Sequence, residues 1–87
     1  MTNQSSLENG YRLAEKAMLK DVEKDGEVLL LEDGRRLKVN NSDDATVASV
    51  WMPSTRVTLR KRKGRAAGIT VTNEETGETI SAVAIAR

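Results

Sequence analysis

The sequence predicts an all-β fold, a small antiparallel barrel of five or six short strands. Two observations support this fold. Short runs alternate apolar and polar residues, and turn-forming glycines recur between the runs, at Gly26, Gly34, Gly64 and Gly77. A chain of 87 residues is one small domain. With no Phe, one Tyr and one Trp, its core has to be built mainly from aliphatic side chains.

Composition excludes several kinds of chemistry. Cysteine and histidine are both absent, which removes disulfides, thiolate nucleophiles, imidazole bases and the usual zinc sites. No acidic loop has the Asp/Asn/Gly spacing of a calcium-binding loop. We therefore predict no catalytic residue, no cofactor-binding residue and no metal ligand. No small-molecule substrate is evident either.

The N-terminal residues 1–14 form a polar segment, expected to be disordered or a short helix, ahead of a barrel domain predicted over residues 15–87. Ser5 and Glu8 have the spacing of a helix capping box. Gly10 argues against a helix, since glycine costs about 1 kcal/mol relative to alanine in a helix interior. The residues that would share one helical face are Leu7, Tyr11, Ala14 and Met18.

The beginning of the chain also bears on location. It reads M-T-N-Q-S-S, without the basic start and apolar run of a signal peptide. No stretch approaches the roughly 18 continuous apolar residues that span a membrane. We therefore expect a cytoplasmic protein without a membrane span.

The most clearly patterned hairpin joins the apolar run V-L-L-L to R-R-L-K-V through Asp33-Gly34. A two-residue Asp-Gly loop favours a type I′ turn. That turn pairs Leu30 with Leu37. It also pairs Val28 with Val39, so that the apolar residues share one face.

The middle of the chain changes character several times. Residues 17–23 are a weaker strand candidate, and residues 40–44 are a predicted loop because they read N-N-S-D-D. Residues 45–51 are predicted to form a short strand. Pro53 ends it because proline cannot donate to a sheet ladder. Residues 55–63 follow as a basic strand.

Two later turns complete the predicted barrel. A three-residue turn centred on Gly64 pairs Leu59 with Ile69. A two-residue loop at Thr76-Gly77 pairs Ile69 with Ala84. Together the predicted hairpins give a structural core that consists of Trp51, Val28, Leu30, Leu37, Val39, Val57, Leu59, Ile69 and Val71.

Several segments carry a resemblance to a known group. The runs L-E-D-G-R-R-L-K-V, V-W-M-P, R-V-T-L and T-N-E-E-T-G-E-T-I resemble small, uncharacterised bacterial β-barrel proteins with L-x-D-G, W-x-P-G-D-x-V and N-x-x-T-G-E motifs. The resemblance covers about residues 17–83. It implies an SH3-like barrel and implies no activity. This chain departs from the pattern at Leu37, where an aromatic is common, and at Ser54-Thr55, which replaces Gly-Asp after Pro53.

Charge is segregated along the chain, although the net charge is only +1. Residues 15–33 hold seven acids and three bases, whereas residues 56–65 hold six bases and no acid. The second stretch is a candidate for contact with phosphates. The candidate anion or nucleic-acid contacts are Arg56, Arg60, Arg62, Lys63, Arg65, Arg36 and Lys38.

The predicted function is a non-enzymatic binding domain that contacts a protein partner through a sheet edge or a groove. The alternative is weak, sequence-independent nucleic-acid binding through the basic hairpin 56–65. That hairpin also suits an acidic protein or an anionic membrane surface. A fourth possibility is a solvated hairpin whose charges discourage edge pairing.

Two further features have a structural and a functional interpretation. Trp51 is either the anchor of the core or an exposed aromatic that contacts a ligand. The acidic pairs Asp43-Asp44 and Glu74-Glu75 suggest acid–base chemistry only if a pocket shifts their pKa values, and nothing in the sequence supplies one. We expect Trp51 in the core and the acidic pairs in turns.

Overall fold

The computed structural model describes residues 14–61 and 68–85. A single turn of 3-10 helix, Lys24–Gly26, connects the first two strands. The elements in chain order are β1 (Glu15–Glu23), β2 (Val28–Leu31), β3 (Arg36–Val39), α1 (Ser42–Ala48), β4 (Arg56–Lys61), β5 (Ile69–Asn73) and β6 (Thr79–Ala84).

The six strands close into a barrel in the order β1-β2-β3-β6-β5-β4, with β4 pairing back to β1. Every neighbouring pair is antiparallel. The predicted fold class, an all-β barrel of five or six short strands, is confirmed. The architecture is consistent with a small SH3-like barrel.

Closure depends on β1, which pairs with a different strand along each of its halves. Its first half, from Glu15 to Met18, pairs with β4, and its second half pairs with β2. The pairing with β2 shifts by one residue between Leu19 and Asp21. An extra residue in one strand bends that strand and increases its twist, so β1 can belong to both walls.

The loop between β2 and β3 has three residues, 32–34, rather than the predicted two. The amide of Leu31 donates to the carbonyl of Arg35 at 2.9 Å, and the amide of Gly34 donates to the carbonyl of Leu31 at 2.9 Å. A type I′ loop needs a positive φ at both central residues. Gly34 has a φ of 95°, but Asp33 does not adopt a positive φ. The chain therefore forms the longer loop, in which only Gly34 has a left-handed backbone conformation.

This loop moves the β2–β3 register by one residue. Leu29 lies opposite Leu37, so the predicted pairing of Leu30 with Leu37 is wrong. Because side chains alternate between the faces of a strand, Leu29 and Leu31 point into the barrel and both are fully buried. Leu30 is only half-buried, which corrects its prediction as a core residue. Val28 is buried but is not part of the core cluster.

The hairpin between β4 and β5 also differs from the prediction. Lys61 pairs with Ile69 and Leu59 pairs with Val71, so residues 62–68 connect the two strands. The predicted pairing of Leu59 with Ile69 is therefore wrong by two residues. An even shift leaves the same side chains facing inward, and Leu59, Ile69 and Val71 are all buried. The predicted turn centre, Gly64, lies outside the described residues.

The last hairpin has a four-residue loop, 74–77, in place of the predicted two-residue loop. The amide of Asn73 donates to the carbonyl of Glu78 at 2.8 Å, and the amide of Gly77 donates back to Asn73 at 2.7 Å. The Asn73 side-chain oxygen accepts from two amides within the loop. Gly77 has a φ of 82°, whereas the β-branched Thr76 does not take the positive φ that a two-residue loop requires. Ile69 consequently pairs with Ala82 and not with Ala84.

One predicted strand is a helix. Residues 45–51 were expected to form a strand after a loop at 40–44, but α1 occupies Ser42–Ala48. The side chain of Asn41 accepts from the amide of Asp44 at 2.9 Å and caps the first turn. α1 packs against the 3-10 turn and against β3 and β6, and so covers one end of the barrel. This end is called the helical end below.

The core fills the barrel and extends beneath α1. The proposed helical face that included Met18 is wrong at that residue, because Met18 lies in β1. The buried cluster consists of Leu19, Leu29, Leu31, Leu37, Val39, Ala45, Ala48, Trp51, Val57, Leu59, Ile69, Val71, Ile80 and Ala82.

Candidate functional site

The outer surface of β4 and β5 carries those predicted contact residues of the basic hairpin that lie in the described part of the chain. Arg56 and Arg60 alternate with the buried Val57 and Leu59, as strand geometry requires. The predicted contacts Arg62, Lys63 and Arg65 lie outside the described residues.

Hydroxyl groups accompany the arginines on this surface. Arg60 lies opposite Thr70, and Thr58 lies opposite Thr72. The hydroxyl of Thr70 donates to the carbonyl of Arg60 at 3.3 Å. The hydroxyls of Thr72 and Thr79 lie 2.9 Å apart, so the row continues onto β6. Thr58 lies beneath this row, with 4% of its surface exposed and its hydroxyl bonded to Glu74. We call the surface formed by Arg60, Thr70 and Thr72, with the exposed Lys61 at the end of β4, the β4–β5 face.

The other two predicted contacts, Arg36 and Lys38, lie on β3. In the ring of six strands, β3 and β4 are separated by two strands in either direction, so they occupy opposite walls. Arg36 also pairs with Glu23, whose carboxylate lies 3.3 Å from the Arg36 Nε. The structure therefore does not bring Arg36 and Lys38 together with the basic strand, and the predicted extension of one basic surface onto β3 is wrong.

The three described groups with resolved pKa shifts, Asp33, Arg35 and Glu74, all belong to surface ion pairs. Arg35 lies 2.6 Å from Glu15 and 2.8 Å from Asp33. The side-chain hydrogen bond from Arg35 lowers the pKa of Asp33, and the carboxylates raise the pKa of Arg35. Both groups stay ionised near neutral pH, which is the behaviour of a structural ion pair.

A second cluster joins β1, β4 and the 74–77 loop. The ammonium group of Lys16 and the hydroxyl of Thr58 both donate to a carboxylate oxygen of Glu74. The hydrogen bond from Lys16, and after it the one from Thr58, lowers the pKa of Glu74. A general acid needs a raised pKa, so this shift does not suit acid–base catalysis. The other predicted acidic pair, Asp43-Asp44, lies in the first turn of α1.

Trp51 lies in the core cluster with 5% of its surface exposed. Its indole Nε1 donates to the carboxylate of Glu78 at 2.8 Å, so the polar atom of the ring has a partner inside the protein. The ring ties the segment after α1 to the last hairpin. This position suits an anchor of the core rather than a ligand-facing aromatic.

The residues on either side of Trp51 form a feature that the sequence reasoning missed. Val50 is 72% exposed and Met52 is 67% exposed. Beside this loop lies an open groove of about 380 Å³, lined by Met18, Ser54, Arg56, Glu74 and Glu75. The signal available in the sequence was the apolar run V-W-M-P, which places two large apolar side chains on either side of the single tryptophan.

Comparison with known proteins gives no indication of function. No protein-family model, curated protein or solved structure matches this chain.

Two further observations limit the chemistry of the described residues. Within residues 14–61 and 68–85, no group of three or more acidic, histidine or cysteine side chains is arranged to hold a metal ion. No helix in the same residues is long and apolar enough to cross a membrane.

Proposed function

We propose that this chain is a non-enzymatic binding domain that holds the phosphate backbone of nucleic acid on its β4–β5 face. The observation that carries the proposal is the composition of that face. Arg60 lies opposite Thr70 and next to the threonine row, and a second cation, the exposed Lys61, ends the same strand. A phosphate group is bound in proteins by this combination of charged and hydroxyl donors.

The charge state of the face supports the proposal. Lys16, Arg35 and Arg36 each form an ion pair with a carboxylate. Arg60 and Lys61 form none with any residue that the structure describes. Their charges are therefore available to a ligand and displace counterions when a phosphate binds.

Spacing is compatible with a nucleic-acid strand. Side chains on the same face of a strand repeat about every 7 Å, so Thr70 and Thr72 on β5 lie about one phosphate interval apart. Arg60 lies opposite Thr70 on β4. Carboxylates border the face at Glu74, which lies beside Thr58, and at Asp44, which accepts from the amide of Ser81. The bound strand would follow the threonines between these borders.

The contacts would be to phosphate and not to bases. Base stacking requires an exposed aromatic ring, and the one aromatic side chain within residues 14–61 and 68–85, Trp51, is buried. Phosphate contacts carry no sequence information. We therefore expect weak binding without sequence preference and with a strong dependence on salt.

The closed barrel bears on the competing protein-partner prediction. That prediction named a sheet edge or a groove. Each of the six strands has a neighbouring strand on either side, although each half of β1 pairs with one neighbour only, so no strand of the described barrel offers a full-length open edge to a partner strand. The groove beside Ser54 does not depend on an open strand edge.

The proposal is tested by titration of labelled single- and double-stranded oligonucleotides at several salt concentrations. We expect wild-type protein to bind at low salt. The double variant Arg60→Glu/Lys61→Glu should lose binding, and the milder Arg60→Gln/Lys61→Gln should lower the salt slope by about 0.7 per lost contact with single strands. Circular dichroism checks that each variant is folded.

The matched control is Arg36→Glu/Lys38→Glu, which reverses the same number of charges on the opposite wall. It should leave most of the binding intact. Equal losses in the two double variants would mean that net charge alone attracts the nucleic acid and would overturn the assignment to the β4–β5 face. Absence of wild-type binding at low salt would overturn the proposed function.

A further inference from the structure

A second surface at the helical end has the features of a protein-docking site. The loop after α1 exposes two large apolar side chains, Val50 and Met52, while Trp51 between them is buried. Exposed apolar side chains on a small domain cost hydrophobic free energy unless a partner covers them. Methionine adapts its shape to different partner surfaces, which suits it to this role.

The loop is held rigidly although it lies at the surface. The indole of Trp51 donates to Glu78, and the backbone amide of Trp51 donates to Ala48 at 3.0 Å. The hydroxyl of Thr55 donates to the carbonyl of Met52 at 2.7 Å. The amide of Ser54 donates to the carbonyl of Leu19 at 2.7 Å. A partner would therefore meet a preorganised loop and would lose little free energy in ordering it.

Backbone strain occurs at the same place. Ser54 has a φ of 71°, a conformation that costs a non-glycine residue roughly 1–2 kcal/mol. Strained residues persist where the surrounding structure fixes them, and they cluster at ligand-binding segments. Here the strain turns the chain from Pro53 into β4 and places Ser54 on the wall of the groove.

The groove begins at Ser54, two residues after Met52 in the chain, and its lining carries charges of both signs. Met18 provides its apolar lining, with Arg56 and Glu74 among its polar groups. Glu74 is neutralised by Lys16, whereas Glu75 forms no ion pair with a described residue.

Acidic groups also predominate over the whole helical end. Among the described residues, the cations there are Lys20, Lys24, Lys38 and Arg56, and the acidic residues there include Asp25, Glu27, Asp43, Asp44, Glu75 and Glu78.

We propose that Val50, Met52 and the groove beside Ser54 bind an extended, basic segment of another protein. An apolar side chain of that segment would contact Met52 and Met18, and a flanking lysine or arginine would reach Glu75. The choice of a basic occupant follows from charge complementarity with the helical end. This site is separate from the β4–β5 face and does not depend on it.

The test uses a library of random dodecapeptides displayed on phage and selected on the immobilised full-length protein, with Met52→Glu as the counter-target. We expect enriched peptides that combine an apolar residue with neighbouring lysines or arginines. Synthetic copies should bind the wild type. They should bind Met52→Glu and Glu75→Lys about tenfold more weakly. Backbone amide shifts on binding should map to residues 50–54 and 74–75.

Lys38→Glu is the control, because Lys38 is exposed on β3 and away from the groove; it should bind the peptides at least as well as the wild type. Since Met52 and Glu75 are exposed, their variants should stay folded, which near-ultraviolet circular dichroism checks. Enrichment of acidic or purely apolar peptides, or no enrichment, would overturn the proposal. So would self-association of the wild type that Met52→Glu abolishes, because a second copy would then be the occupant.

Discussion

At the scale of single residues, Gly26 is the position where the barrel and its helix approach most closely. It is buried and has a φ of 96°. A methyl group on its Cα would lie 1.9 Å from the carbonyl oxygen of Ala45 and 2.9 Å from the amide nitrogen of Ser49. Both atoms belong to the backbone at α1 and its C-terminal cap, so relief of the clash requires the helix to move.

We therefore expect Gly26→Ala to destabilise the fold by about 2–4 kcal/mol, the sum of a left-handed backbone cost and of overpacking. Gly34→Ala is the matched control. Gly34 has nearly the same φ, 95°, but no atom within 4 Å of an added methyl group. Gly34→Ala should cost only about 1–2 kcal/mol. Urea unfolding followed by the emission of the buried Trp51 measures both, and equal losses would show that the contact with α1 is unimportant.

The backbone conformation of Ser54 bears on one departure from the motif that the sequence resembles. The resemblance places glycine after Pro53, where this chain has Ser54. Glycine adopts a positive φ without steric cost, so the φ of 71° at Ser54 gives a physical reason for a glycine there. The sequence showed the substitution but could not show the backbone conformation that makes it costly.

At the scale of elements, most strands were predictable and the registers of their hairpins were not. Alternation of apolar and polar residues marked the later strands and a short apolar run marked β2, but the register depends on loop length. At Asp33-Gly34 and at Thr76-Gly77 the chain avoids a positive φ at the residue before glycine and takes a longer loop. In β5–β6 the observed register differs from the predicted one by two residues, so the same side chains face the core. In β2–β3 it differs by one residue, so Leu29 and Leu31 face the core in place of Leu30.

The helix was missed because its first turn is made of residues typical of loops. Asn41 and Asp44 have the spacing of a helix cap, but only the seven residues of Ser42–Ala48 follow it. A helix this short depends on tertiary contacts for its stability, and here the contact is with the 3-10 turn. Such a contact is invisible in the sequence.

The cap gives a direct test of α1. Asn41→Ala removes the acceptor of the Asp44 amide and should destabilise the protein by about 1 kcal/mol. Asn40→Ala is the matched control. The side chain of Asn40 is exposed and makes no hydrogen bond to a described residue, so its loss should cost less than about 0.5 kcal/mol. Urea unfolding compares the two, and a larger loss at Asn40 would contradict the assignment of the cap.

At the scale of the whole molecule, strand order decides which charges meet. The chain places Arg36 and Arg60 on similar basic strands, and nothing local indicates that β3 and β4 lie on opposite walls. The exposed loop at Val50 and Met52 depends equally on tertiary structure, because it follows from the burial of Trp51 against Glu78. Of the two candidate surfaces, the sequence thus pointed to the basic one and gave no sign of its extent.

Stability against pH depends on a contact that joins distant parts of the barrel. Lys16 on β1 and Thr58 on β4 hold Glu74 at the start of the last loop and lower its pKa below the ordinary value of 4.5. A carboxyl group with a lower pKa in the folded state contributes stability above its unfolded pKa and loses that contribution as the pH falls through its folded pKa. The melting temperature should therefore fall as the pH drops below about 5, and Asp33, whose pKa Arg35 lowers, should contribute in the same direction.

Glu74→Gln separates this contact from the general effect of acid. The variant should melt below the wild type at neutral pH, and the difference should shrink as the pH falls through the lowered pKa of Glu74 and the wild-type carboxyl group loses its charge. Lys16→Met should reduce the slope over the same pH range, because it removes the principal cause of the shift. Lys20→Met is the control, since Lys20 is exposed on the same strand and pairs with no described carboxylate. Calorimetry across this range measures all four proteins, and a Glu74→Gln difference that persists unchanged into acid would show that shape, and not charge, is what Glu74 contributes.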